Sequence, residues 1–222
     1  MAEPLRHRDN GRWLGAFATR VEVNCPRCGH AGTVRADGRW VAQFVCGRCS
    51  LDARSERNDW LGQVRLSGRR PCGYCGHQWL CVNRIRRDVL TAPIQLNEWR
   101  ATPTGESVAV NCPICKHDSE VAVDAYRERG NEGHDPHFGL PLRLIERTRV
   151  GLLWAYNGEH LDELRRYIGA DLRERHRTLG NKTMISRLPT WMKLARHRPL
   201  MLKALDRLSR QLGDDPRLAT DG

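Results

Sequence analysis

Eight of the nine cysteines fall into four Cys-x-x-Cys pairs: Cys25/Cys28, Cys46/Cys49, Cys72/Cys75 and Cys112/Cys115. Two thiolates at that spacing share one tight turn, whose backbone N–H groups hydrogen-bond the sulfurs while both sulfurs chelate one cation. Two such turns brought together form a tetrahedral cage of four thiolates. Seventeen residues separate Cys28 from Cys46, a gap within the range of structural zinc sites. Thirty-six separate Cys75 from Cys112, about twice the usual gap. The expectation is two Zn2+ ions per chain, one held by Cys25, Cys28, Cys46 and Cys49, the other by Cys72, Cys75, Cys112 and Cys115.

The segments around the pairs must deliver those turns. "VEVNCPRCGH" from Val21 and "VAVNCPICKH" from Val108 share both valines, Asn, Cys, Pro, the second Cys and the His. Each reads as a strand running into a chelating turn, so the repeat is a duplicated metal knuckle. Around the first pair, "TRVEVN" alternates in, "AGTVR" leads out, "ADG" turns and "RWVAQFV" runs into "CGRC", which spells a metal-pinned β-hairpin. Over about residues 19–57, with "CPRCGH" and "CGRC" carrying the likeness, the chain resembles the zinc-ribbon superfamily, including transcription-factor-IIB-type ribbons. Paired turns of this kind also occur in rubredoxins, which hold iron, so iron is the alternative metal. The second set, with its long gap, reads as a ribbon with an elongated or decorated hairpin.

Three knuckles carry a histidine two places past the second Cys: His30, His77 and His117. With eight thiolates available, these read as knuckle-surface residues rather than ligands. Cys81, the ninth cysteine, reads as a small buried thiol rather than a substitute ligand. His134, Asp135 and His137 in "HDPH" read as turn chemistry around Asp135-Pro136 rather than as a third metal site.

Beyond the ribbons the periodicity changes. From Asn157, a good N-cap, "GEHLDELRRYIGADLRER" places Leu161, Leu164, Ile168 and Leu172 on one helical face. Two shorter helical stretches follow, with Pro189 and Pro199 in first-turn positions and a break near Arg198. This C-terminal pattern is similar to bacterial zinc-ribbon-containing proteins of unassigned function. The fold class expected is α+β: two small β zinc ribbons of four cysteine ligands each, followed by a helical C-terminal region. The division along the chain is an N-terminal segment (1–18), ribbon 1 (19–57), ribbon 2 with elongated hairpin (62–127), a linker (128–156), a basic helical region (157–212) and an acidic flexible tail (213–222).

The 222 residues carry a net charge of +11 and an isoelectric point near 9.7, which favours a polyanionic partner. From Lys182 to Arg210 there are eight basic residues (Lys182, Arg187, Lys193, Arg196, Arg198, Lys203, Arg207, Arg210) against one acid, Asp206. Lys203, Arg207 and Arg210 share a helical stripe opposite Met201, Leu205, Leu208 and Leu212, as a phosphate-contacting helix would have it. Arg84, Arg86 and Arg87 add a second basic group, and Trp79 or Trp99 could stack on unpaired bases. The apolar runs are too short to span a membrane, and the N-terminus "MAEPLRHRDNGRW" has no hydrophobic signal region, so a cytoplasmic, metal-loaded rather than disulfide-bonded protein is expected.

No phosphate loop, nucleophile elbow or deaminase motif is present in the sequence. The expectation is therefore a non-enzymatic nucleic-acid-binding protein, on DNA rather than RNA, with no evident small-molecule substrate. The first alternative is a protein–protein adaptor or subunit of a larger assembly. The second is a zinc-supported nuclease drawing on His77, Asn83, Asn97, Asp88 and Glu98.

Overall fold

The computed structural model describes residues 4–86, 88, 90–129, 133–174 and 183–213. After a short strand β1 (Arg6–Arg8) and a 3-10 turn (Leu14–Phe17), the chain forms an antiparallel sheet of β2 (Arg20–Asn24), β3 (Ala31–Ala36), β4 (Ala42–Val45) and β5 (Asp52–Arg54), in that order. Val21 and Val23 pair with Val34 and Gly32. Val21, Val23, Val34, Phe44 and Ala53 point inward and are completely buried. Strand β4 alternates as a half-buried strand does, whereas in β2 Glu22 is buried as well, under the chain that covers that edge. The two chelating turns join β2 to β3 and β4 to β5. Between β3 and β4, Asp37 accepts from the N–H groups of Arg39 and Val41 at 2.8 and 2.9 Å, closing the turn with Trp40 in a left-handed conformation.

The second sheet has the order β10-β11-β7-β8. Strand β7 (Val64–Arg70) turns through Cys72/Cys75 into β8 (Leu80–Arg86), and β10 (Thr102–Asn111) turns through Cys112/Cys115 into β11 (Asp118–Arg127). Each knuckle therefore caps its own hairpin, and the β7–β11 pairing brings the two hairpins side by side. The long gap holds β9 (Ile94–Gln95), paired with β6 (Asp59–Trp60), and the first half of β10, where the register shifts between Pro103 and Ser107. Leu66, Leu80, Val82, Val121 and Val123, with Trp60 and Leu96, form a core of their own.

The stretch 128–156, expected as a linker, is instead packed structure. Phe138, Leu140, Leu142 and Leu144 are buried in the core of the first sheet, and Asn24 and Arg143 hydrogen-bond across the outer edge of β2 to Pro141 and Glu22. A hairpin of β12 (Ile145–Thr148) and β13 (Gly151–Trp154) follows. The reason is long-range: β2 has a free edge, and the chain returns more than a hundred residues later to pair with it.

Helix α1 (Gly158–Gly169) starts where expected, with the Asn157 side chain accepting from the His160 N–H. It ends earlier than its periodicity suggests. Ala170 is extended, and Leu172 lies in β14 (Leu172–Glu174), exposed and paired in parallel with β1. A partner strand far away in sequence wins over another helical turn. The short helices α2 (Met184–Arg187) and α3 (Thr190–Lys193) precede α4 (Arg198–Gly213). The break expected near Arg198 lies earlier, at extended Leu194, and Arg198 itself is helical. Helix α4 buries Met201, Ala204, Leu205 and Leu208 against the same core as α1 and the first sheet. The fold is thus α+β, with mixed strands and a few helices, and among the described residues no helix is long and apolar enough to cross a membrane.

Candidate metal centres

All four knuckles have the same backbone plan. The N–H of the leading cysteine donates to the carbonyl five residues on: Cys25 to His30, Cys46 to Leu51, Cys72 to His77 and Cys112 to His117, at 2.8–2.9 Å. The N–H four residues on donates back to the same cysteine's carbonyl, from Gly29, Ser50, Gly76 and Lys116. Those four residues all have positive φ, between 53° and 70°, which costs glycine nothing and Ser50 and Lys116 about 1–2 kcal/mol each. The three histidines thus contribute their main-chain carbonyls to the knuckles. His117 also stacks on Tyr74 from the neighbouring knuckle, with ring centroids 4.5 Å apart.

The eight sulfurs gather into two tetrads, Cys25/Cys28/Cys46/Cys49 and Cys72/Cys75/Cys112/Cys115, with every ligand atom within 4.8 Å of the others. Across the knuckles Cys25–Cys49 and Cys28–Cys46 are 3.6 Å apart, Cys72–Cys115 is 3.6 Å and Cys75–Cys112 is 3.7 Å. A tetrahedral ion with metal–sulfur bonds of about 2.3 Å requires sulfurs roughly 3.8 Å apart, whereas a disulfide requires about 2.05 Å. Each tetrad can therefore hold one metal ion, and no sulfur pair is bonded.

The two centres differ in their surroundings. Cys25 and Cys46 belong to the large core and Cys28 and Cys49 pack against it, and burial pushes the Cys25 thiol up to about 12. In the second centre Cys75 is exposed. There the backbone N–H groups of Cys75 and Tyr74 hold Cys72 down to about 6, with the Tyr74 N–H at 3.4 Å from Sγ. Each centre mixes raised and lowered thiols, with Cys46 at about 7 in the first and Cys115 at about 12 in the second. Each also buries two cysteines, so the difference between them lies in the exposure of Cys75.

Cys81 is not buried as expected. It alternates between inward-facing Leu80 and Val82, so it stands on the outer face of the second sheet, exposed and opposite Arg69. Asp135 is buried and spends its carboxylate on the N–H groups of His137, Phe138 and Leu140, while His137 Nε2 lies 2.8 Å from the Ala18 carbonyl. That is turn chemistry, and among the described residues only the two cysteine tetrads bring three or more ligand atoms together.

The basic residues are more dispersed. Arg84 and Arg86 are exposed on β8, with Arg86 paired to Glu106 at 2.9 Å. Arg87 and Lys182 lie outside the described residues. Arg187 ends α2, and Lys193 at the end of α3 donates to the Ser186 carbonyl. Arg198 pairs with Asp171 and Arg207 with Glu146, both at 2.8 Å. Arg196, Lys203 and Arg210 are exposed. Of the residues considered for a nuclease, Asn97 caps a turn at Trp99 and Arg100, and Glu98 pairs with Arg129. Trp79 and Trp99 are exposed, under the guanidinium groups of Arg69 and Arg129 respectively.

One feature of the site region has no signal in the sequence. Between the two cores lies a cavity of about 270 Å3, walled by Trp60, Trp154 and Tyr156. Its aromatic walls come from β6, from the end of β13 and from the second residue after it, with residues of 128–139 completing the lining, so no local motif announces it. No family model matches the chain, and no curated protein or solved structure matches it.

Proposed function

We propose that the chain is a cytoplasmic zinc-ribbon protein that binds nucleic acid, with DNA as the first partner to test, and that it is not an enzyme. Zinc suits the two tetrads because four thiolates in a closed tetrahedral shell leave no position for water or substrate, as in structural sites. The metals would add folding energy by pinning the knuckles that lead in and out of each sheet.

The observation that carries the nucleic-acid reading is the outer face of α4. Its inner face is sealed by Met201, Ala204, Leu205 and Leu208, and Lys203, Arg207 and Arg210 stand exposed on the rest, in a chain of net charge +11. Arg207 is paired to Glu146, but an exposed ion pair is worth only about 0–1 kcal/mol and exchanges readily for a phosphate. Arg84 and Arg86 would extend the contact on the second sheet.

A second reading, a protein–protein adaptor, is favoured by one contrast. The residue before the second cysteine of each knuckle is Arg27 and Arg48 in the first centre, but Tyr74 and Ile114 in the second, both 67% exposed. Elemental analysis followed by a salt titration of binding to duplex and single-stranded DNA and RNA separates the two. About two zinc ions with affinity falling steeply in salt supports nucleic acid. Two zinc ions with no binding even at low salt transfers the assignment to the adaptor, and one or none removes the paired-ribbon reading.

A further inference from the structure

We propose that the cavity between the two cores is a pocket for one planar heteroaromatic ring, a nucleobase, presented by a single strand. This rests on the nucleic-acid reading for the source of the base, though not for the chemistry of the pocket.

Three aromatic rings wall the cavity. Trp154 and Tyr156 lie with centroids 5.1 Å apart and planes tilted by 43°, and Trp60 lines the wall from the second core. Its size, about 270 Å3, is just below the span of pockets that hold drug-sized ligands, from about 300 Å3, and suits a single flat group. Where the two cores meet, Gly139 and Gly62 keep the backbones in contact. A Cβ on Gly139 would sit 2.6 Å from the Gly62 Cα and 2.8 Å from the Trp60 ring.

The polar lining points to a heterocycle rather than a hydrocarbon. Gln63, Glu128, Arg129 and His134 line the cavity. Arg129 is paired with Glu98 and Glu128 lies 3.8 Å from Arg65, and such a mix of donors and acceptors suits the edge of a base. The Nδ1 of His134 is covered by protein and has no hydrogen-bond partner, so that nitrogen is not offered to a bound ring. Asp135, also at the wall, is already satisfied by backbone N–H groups and supplies no recognition.

One lining residue, Arg129, also touches an exposed aromatic ring. Arg129 lies over the ring of Trp99, 4.7 Å from its centroid, and Trp99 is 80% exposed. A strand could thus place one base inside and stack its neighbour on Trp99, each contact contributing in the manner of single-strand platforms.

The test uses the full, metal-loaded chain. Affinity is measured for a single-stranded oligonucleotide, for the same sugar–phosphate strand without bases, and for free nucleosides. The variants are Leu14→Trp, which fills the cavity from its wall, and His134→Ala, both checked for metal content and melting temperature. The intact strand should bind roughly 10- to 100-fold more tightly than the abasic one, with the preference lost in Leu14→Trp and reduced several-fold in His134→Ala. A preference that survives in both variants overturns the pocket and leaves the nucleic-acid function standing, since the bases would then stack elsewhere. Nucleosides bound by the native chain and not by Leu14→Trp, with no strand binding, uphold the pocket and overturn the nucleic-acid function. Binding of neither strand nor nucleoside overturns both.

Discussion

The Asn157 side chain donates to the Phe17 carbonyl at 2.8 Å, tying the first turn of α1 to the entry of β2. The same amide donates to the Arg20 carbonyl at 2.7 Å, and its oxygen caps α1 at the His160 N–H. One buried side chain thus joins the first sheet to the helical region. Asn157→Ala loses the cap and strands two carbonyls, at a cost of roughly 3 kcal/mol. Asn157→Ser keeps the cap and should lose less. Denaturant midpoints of the metal-loaded proteins check the order.

The two centres should release metal at different rates. Cys75 is exposed, whereas Cys25 and Cys46 lie within the large core. A chromophoric chelator should therefore remove one ion per chain quickly and the second slowly, in a two-phase release. Cys75→Ser should retain one ion with the first sheet and helices folded. Cys25→Ser should unfold the first core, seen as loss of helical circular dichroism.

Lys116 and Ser50 hold left-handed conformations at a position where the other two knuckles carry Gly29 and Gly76. Lys116→Gly removes that strain, offset in part by the greater chain entropy of glycine, for a net gain of up to about 1 kcal/mol. Gly76→Ala should cost a similar amount. Melting temperatures moving in opposite directions in the two variants would bear this out, and movement in the same direction would refute it.

Burial, with a smaller contribution from the charge of Arg12, lowers His160 to about 4. The unfolded chain takes up a proton there below about pH 6.5 and the folded chain resists until about pH 4, so stability falls as the pH drops through that window. The amount lost is about 3 kcal/mol. Unfolding free energies from pH 7 to 4 should decline less steeply in His160→Gln than in the native chain. Equal slopes would show that acid acts elsewhere, for instance on the thiolates.

If α4 contacts phosphates, Lys203→Ala and Arg210→Ala should each lower the salt slope of binding by about one. Their effect should be similar on every sequence tested. Changes confined to one sequence would instead assign these residues to base recognition.

The spacing of the cysteines and the alternation around them were enough to foresee the four chelating turns, because chelation within Cys-x-x-Cys and the strand pattern are both local. Asn157 as a cap was legible for the same reason: its oxygen serves a N–H three residues away. Which knuckle joins which was only an expectation until the β7–β11 pairing placed Cys72 against Cys115. The tertiary structure alone decided that 138–144 belongs to the first core, that Leu172 leaves its helix for β1, and that Cys81 faces outward. It also made the cavity of Trp60, Trp154 and Tyr156. Each of these depends on a partner far along the chain, whose pull on a free strand edge or an apolar face exceeds the weak local preference that the sequence displays.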